Sequence, residues 1–111
     1  MKKIAIPITD NILSAHFGHC DKFYVYEIEN EKIVKETIMT PPSHEPGLLP
    51  KWLGGQSVTD IIAGGIGQRA IDLFNQNNIN VYVGAPQKAP VEIVESHLNG
   101  SITLSGNYCD H

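Results

Sequence analysis

From Thr59 to Gly100 the chain twice follows a short apolar run with a helical repeat, and this alternation restricts the possible folds sharply. "TDIIAG" and "INVYVG" read as short continuous strands, whereas "GIGQRAIDLFNQNN" and "APVEIVESHLNG" read as helices. Ile66, Ala70, Leu73 and Phe74 fall on one face of the first helix. Val91, Val94 and Leu98 fall on one face of the second. Pro90 suits a first helical position, Glu92 and Glu95 lie near the positive end of the helix dipole, and Gly100 suits the stop. Strand–helix–strand–helix order requires parallel strands joined by crossovers.

The first half has a different rhythm. "KKIAIPI" sets Ile4, Ile6 and Ile8 on one face at period two, the mark of a strand. "FYVYEIE" and "KIVKETIM" are further strand-like runs, and the Asn30–Glu31 pair between them predicts a tight hairpin. "TPPSHEPGLLPKWLGG" follows, with Pro41, Pro42, Pro46 and Pro50, and reads as a stiff irregular connection. Trp52 within it is expected to pack. With 111 residues, 41% of them hydrophobic, the chain supports one core, and residues 1–111 read as a single domain. The expected fold is a three-layer α/β domain with a mixed sheet of about five strands, an antiparallel meander and then β-α-β-α.

Charge and composition exclude several classes. A net charge of −4 with scattered cations is wrong for nucleic acid, whose phosphates call for clustered Lys and Arg. "MKKIAIPITD" begins like a signal peptide, but Pro7 and Asp10 interrupt a short apolar run. No stretch approaches the roughly 18 apolar residues of a membrane span. The expectation is a soluble cytoplasmic protein, in which Cys20 and Cys109 are free thiols or ligands rather than a disulfide.

Two motifs carry chemistry. "GGIGQRA", read from Gly65, matches G-x-G-x-x-A between a strand and a helix. The acidic residue that a dinucleotide site needs at the end of the next strand is missing, since "VYVGAP" stands there. The glycines either permit a sharp turn with close packing or let an anionic group approach a helix start. "HFGHC" gathers His16, His19 and Cys20, soft donors suited to zinc, copper(I) or iron–sulfur chemistry. His44 and the terminal Cys109 and His111 are further candidate ligands. There is no C-x-x-C pair and there are too few cysteines to hold a cubane alone. The plain alternative is a histidine-bearing turn and a frayed tail. Two weaker readings are a Cys20–His hydrolase and a magnesium nuclease using Asp10 and Asp60; neither has a visible third group.

Taken in order, "IAIP", "HFGHCDKFYVYEIE", "TDIIAGGIGQRAIDLF" and "INVYVGA" resemble the dinitrogenase iron–molybdenum cofactor biosynthesis family, the NifX, NafY and NifB C-terminal group. The resemblance implies a ribonuclease H-like fold and a carrier of iron–sulfur precursors that is not an enzyme. A related branch binds a molybdenum–copper sulfide cluster. The proline-rich insert and "CDH" tail look like the small stand-alone branch, which implies a role outside nitrogen fixation. Matched by position, His16, Phe17, Gly18 and Cys20 form the implied cluster-facing loop, beside Gly64, Gly65 and Gly67. His19, His44, Cys109 and His111 are added on ligand chemistry alone. The expected cargo is an iron–sulfur or other metal–sulfide cluster in preference to a single ion such as zinc. The expected partners are cluster donor and acceptor proteins, with the chain a monomer or homodimer. The alternative is a metal-free adaptor that binds a protein through the proline-rich loop and the glycine turn.

Overall fold

The computed structural model describes residues 2–17, 20–42 and 48–108. β1 (Lys2–Thr9), β2 (Ile12–Leu13), β3 (Lys22–Glu29) and β4 (Lys32–Met39) come first, followed by α1 (Leu48–Gly55). Then come β5 (Asp60–Ile62), α2 (Gln68–Gln76), β6 (Asn80–Val83), α3 (Pro90–Leu98) and β7 (Gly106–Tyr108). Six strands of the 7-stranded sheet run in the order β4-β3-β1-β5-β6-β7, and the short β2 pairs with the end of β1. β1, β5 and β6 pair in parallel, as the strand–helix alternation requires. β3 joins β1, β4 joins β3 and β7 joins β6 antiparallel, so the sheet is mixed.

A strand at the centre of a sheet must be apolar on both faces, and β1 is. Ile4, Ile6 and Ile8 face α3, where they bury against Ile62, Ile93 and Val94. Ala5 faces the other layer, with Leu49 and Leu53 of α1 and Ile71 and Phe74 of α2. Helices therefore lie on both sides of the sheet, giving the expected three layers. Two hairpins fix the antiparallel part. Asn30 and Glu31 turn with φ of 51° and 62°, and Asp10 and Asn11 with 52° and 70°. Paired left-handed residues match the twist of the flanking strands, and Asn and Asp tolerate that conformation well.

Four features depart from the sequence-based expectation. The proline-rich connection contains a helix, α1: Pro50 is its third residue, in the first turn, where no backbone donor is needed. Among the described residues the strands number seven where about five were expected, because β2 and β7 are too short to show a period. The buried face of α3 is Pro90, Ile93 and Val94, while Val91 is exposed; the stripe is set by the proline that starts the helix. In α2 the buried pair is Ile71 and Phe74, and Ile66 precedes the helix. Gly84 allows β7 to form. Its φ is +79°, and a Cβ there would strike Ser105, whose amide donates to the Val83 carbonyl at 2.9 Å.

Candidate functional site

The loop after β2 is built to lie against the glycine turn. Ser14 is buried, its hydroxyl 2.7 Å from that of Thr9, and it donates to the His16 carbonyl at 3.1 Å. Its amide donates to the Pro7 carbonyl at 2.9 Å, which ties the loop to β1. His16 and Gly65 then form a parallel bridge. The Gly65 amide donates to the Ala15 carbonyl at 2.7 Å, and the Phe17 amide donates to the Gly65 carbonyl at 2.8 Å. The two motifs singled out in the sequence are thus hydrogen-bonded to each other.

The glycines differ in purpose. A Cβ on Gly64 would lie 2.8 Å from the Ser14 carbonyl oxygen, and one on Gly65 would lie 2.7 Å from that of Ala15. Both positions need glycine for close packing against the loop. Gly67 does not, since nothing lies within 4 Å of its would-be Cβ. It is the N-cap of α2, extended at φ −77° and ψ 156°, and no side chain caps the helix. The start of α3 also lacks a side-chain cap. Both helices begin just after parallel strands, so their first-turn amides gather beyond the carboxyl ends of β5 and β6.

The predicted donors are placed differently from one another. His16 is exposed and lines a cavity of about 250 Å³ with Thr9, Asp10, Ile12, Ser14 and Gln87. A Cβ on Gly65 would sit 3.4 Å from His16 Nδ1, so the imidazole lies over the glycine turn. Phe17 and Cys20 point into the core on the α1–α2 side. Phe17 meets Phe74 edge-on at 5.3 Å and Phe23 at 6.0 Å, anchoring the loop. Cys20 is 4% exposed, and burial, helped by the neighbouring Asp21 carboxylate, pushes its thiol up to about 11 against an opposing backbone hydrogen bond. It is a protonated core thiol in this conformation. Gly18, His19, His44, Cys109 and His111 lie outside the described residues. Among the described residues no three His, Cys, Asp or Glu side chains gather as a metal site.

Other weighed residues resolve clearly. Asp10 follows β1, whereas Asp60 starts the parallel β5 opposite Ile4, so the two carboxylates sit at opposite ends of the sheet. Asp60 is fully buried and accepts from Thr59 at 2.7 Å and from Asn80 at 3.0 Å. The paired-carboxylate nuclease site is not formed. Trp52 packs on Phe23 at 5.9 Å, as expected. The sequence reading missed Thr9, Ser14 and Gln87 as cavity walls. The Asp10–Asn11 dipeptide was the available signal, since a hairpin there folds the next residues back along β1.

A model of the dinitrogenase iron–molybdenum cofactor family matches residues 1–100. The chain belongs to that family. An uncharacterized protein of Methanocaldococcus jannaschii is 39% identical over 87 residues, covering 74% of each chain. Among solved structures, PH0822 superposes with a TM-score of 0.86 at 27% identity, over 93% of this chain and 94% of the other. The apo form of the orange protein from Desulfovibrio gigas shares the fold, with a TM-score of 0.76, 19% identity and 96% of both chains covered. No helix among the described residues is long and apolar enough to cross a membrane. The family's α/β frame brings the loop of β1 and the turn after β5 to one end of the sheet, where His16 meets Gly65.

Proposed function

We propose that the protein is a carrier of an anionic metal–sulfide cluster, iron–sulfur in the first instance, which it holds and passes on without transforming it. Membership of a cofactor family supports this reading. The observation that carries it is local: exposed His16 is bridged to Gly65 at the approach to α2, a helix start without a side-chain cap. Uncapped amides and a positive dipole end favour a negatively charged guest.

A cluster is favoured over a bare ion by the exposed imidazole of His16 beside a helix start without a side-chain cap. A cluster brings its own sulfide, so one or two protein ligands beside a lining of amides suffice. His16 is then the accessible donor. Cys20 becomes a second only if the loop opens and the thiol loses its proton, which metal coordination drives. His19, His44, Cys109 and His111 are further proposed ligands, with Phe17, Gly18, Gly64, Gly65 and Gly67 shaping the cradle. Weak, exposed ligation suits a protein that must release its cargo to an acceptor. The cytoplasm is the proposed compartment, cluster donors and acceptors the proposed partners, and a task outside nitrogen fixation the proposed setting. The metal-free adaptor reading is weaker, because Leu49, Pro50 and Leu53 of the proline-rich insert are core residues.

Anaerobic reconstitution with iron and sulfide, and separately with molybdate and copper, tests the proposal by metal analysis and visible absorption. A coloured protein that His16→Ala strips of metal while its unfolding curve is unchanged supports it. A colourless, metal-free product from both mixtures overturns it.

A further inference from the structure

The backbone at His16 is held from both edges, and only one edge belongs to the glycine turn. In the parallel bridge Gly65 grips the residues that flank His16. Its amide donates to the Ala15 carbonyl at 2.7 Å, and its carbonyl accepts from the Phe17 amide at 2.8 Å. The carbonyl of His16 itself points the other way, as the geometry of a parallel bridge requires. There it accepts from the Ser14 hydroxyl at 3.1 Å. Ser14 is 3% exposed, and its amide donates to the Pro7 carbonyl at 2.9 Å, so this hydroxyl acts from a seat fixed on β1.

Proton counting gives the direction of the next bond. A hydroxyl has one hydrogen, and a carbonyl can only accept. Ser14 gives its hydrogen to His16, so the 2.7 Å bond between the two hydroxyls runs from Thr9 to Ser14. Thr9 ends β1, is half-buried, and pairs with Ile12 of β2 across the Asp10–Asn11 turn. A relay from the Thr9 hydroxyl through the Ser14 hydroxyl to the His16 carbonyl thus carries the position of β1 out to an exposed imidazole. Thr9, Ser14 and His16 all line the cavity of about 250 Å³. Bonds in such a chain polarise one another, so losing the first weakens the second. The loop as a whole does not depend on the relay. The Gly65 bridge, the Ser14 amide and the Phe17 ring between Phe23 and Phe74 hold it independently.

We propose that Thr9 and Ser14 are positioning residues for His16, fixing where its imidazole meets a cargo at the approach to α2. The inference rests on the carrier reading and names two residues that decide how well the site retains its guest. Both hydroxyl hydrogens are engaged inside the relay, so the pair acts through the His16 backbone and not by donating to the cargo. A ligand whose support is loosened by a fraction of an ångström loses much of its affinity even when the fold is intact.

Three variants test it. Thr9→Val keeps the β-branched shape without the hydroxyl, Thr9→Ser keeps the hydroxyl, and Ser14→Ala removes the second member of the relay. Each is compared with the native chain in two ways: NMR of the His16 imidazole without cargo, and anaerobic reconstitution with iron and sulfide, read by retained iron and visible circular dichroism. Thr9→Val and Ser14→Ala should retain about tenfold less iron or worse, with an altered dichroism, and their His16 ring shifts should move towards unfolded values. Thr9→Ser should stay native in both measurements. Native iron and dichroism in Thr9→Val and Ser14→Ala, while His16→Ala loses its iron, overturns the positioning and leaves the carrier reading standing. Equal losses in Thr9→Val and Thr9→Ser overturn the positioning too, since shape and not the hydroxyl would then matter. A native chain that takes up no iron overturns the iron–sulfide form of the carrier reading instead. The ring shifts then decide the positioning on their own, and shifts identical in all variants overturn it.

Discussion

Replacing Gly65 with alanine adds one methyl group where the backbone leaves no room. The new Cβ would lie 2.7 Å from the Ala15 carbonyl oxygen, which itself accepts from the Gly65 amide at 2.7 Å. Contact with backbone cannot be relieved by a rotamer change. The loop must retreat by several tenths of an ångström, stretching the bridge that seats His16. Overpacking of this kind costs about 1–3 kcal/mol. Gly67→Ala is the matched control: its Cβ meets nothing within 4 Å and its backbone is already extended. Exchanging Gly for Ala at an N-cap is expected to change stability by only about 0.5 kcal/mol. Urea unfolding measures the difference, and hydrogen exchange locates it. Gly65→Ala should lower stability and deprotect the Phe17 amide while the β3–β4 amides keep theirs. Equal stability of the two variants, with Phe17 still protected, would show that the loop and turn are not coupled.

Other substitutions and pH changes have definite signs. Phe17→Ala removes the ring set between Phe23 and Phe74, and chemical denaturation should show a loss of about 3–5 kcal/mol. The Cys20 thiol, held at about 11 against an ordinary 9.0, is protonated in the fold but ionises earlier once unfolded. Its stabilisation is complete below pH 9 and fades as pH rises towards 11, by of order 2 kcal/mol. Cys20→Ala should flatten that alkaline decline, and thiol labelling of the native protein at neutral pH should be slow. His97, half-buried against Tyr82 at 4.7 Å, titrates below 6.5 because of burial first and Lys2 second, with Asp60 opposing. The unfolded chain therefore takes up the proton first, and stability falls as pH drops below 6.5. Thermal melts of His97→Gln should lose part of that acid slope, and an unchanged slope would assign it to other groups.

The parallel core of the fold was legible because Ile61, Ile62 and Val81 sit in runs too apolar for a surface strand, each followed by a helical period. The hairpin at Asn30–Glu31 was legible because its first residue readily takes positive φ. α1 was not, since four prolines outweigh one apolar turn, and Pro50 only becomes harmless once the helix start is known. β7 was hidden for a different reason: its pairing to β6 depends on Gly84 and Ser105, far apart in sequence. At the site, residue types alone identified His16 and Gly65 separately, and it was the family resemblance that set the loop beside the glycine turn. Their bridge is a tertiary contact and carries no local pattern. The sequence also gave no warning that Phe17 and Cys20 turn inward while His16 turns out, because loop residues follow no period.

Elemental analysis of the protein purified without air from its own host bears most directly on the carrier assignment. Iron together with acid-labile sulfide, or molybdenum with copper and sulfide, is the predicted content, and it should disappear in His16→Ala. A native preparation free of metal, or one holding zinc alone without sulfide, would contradict it.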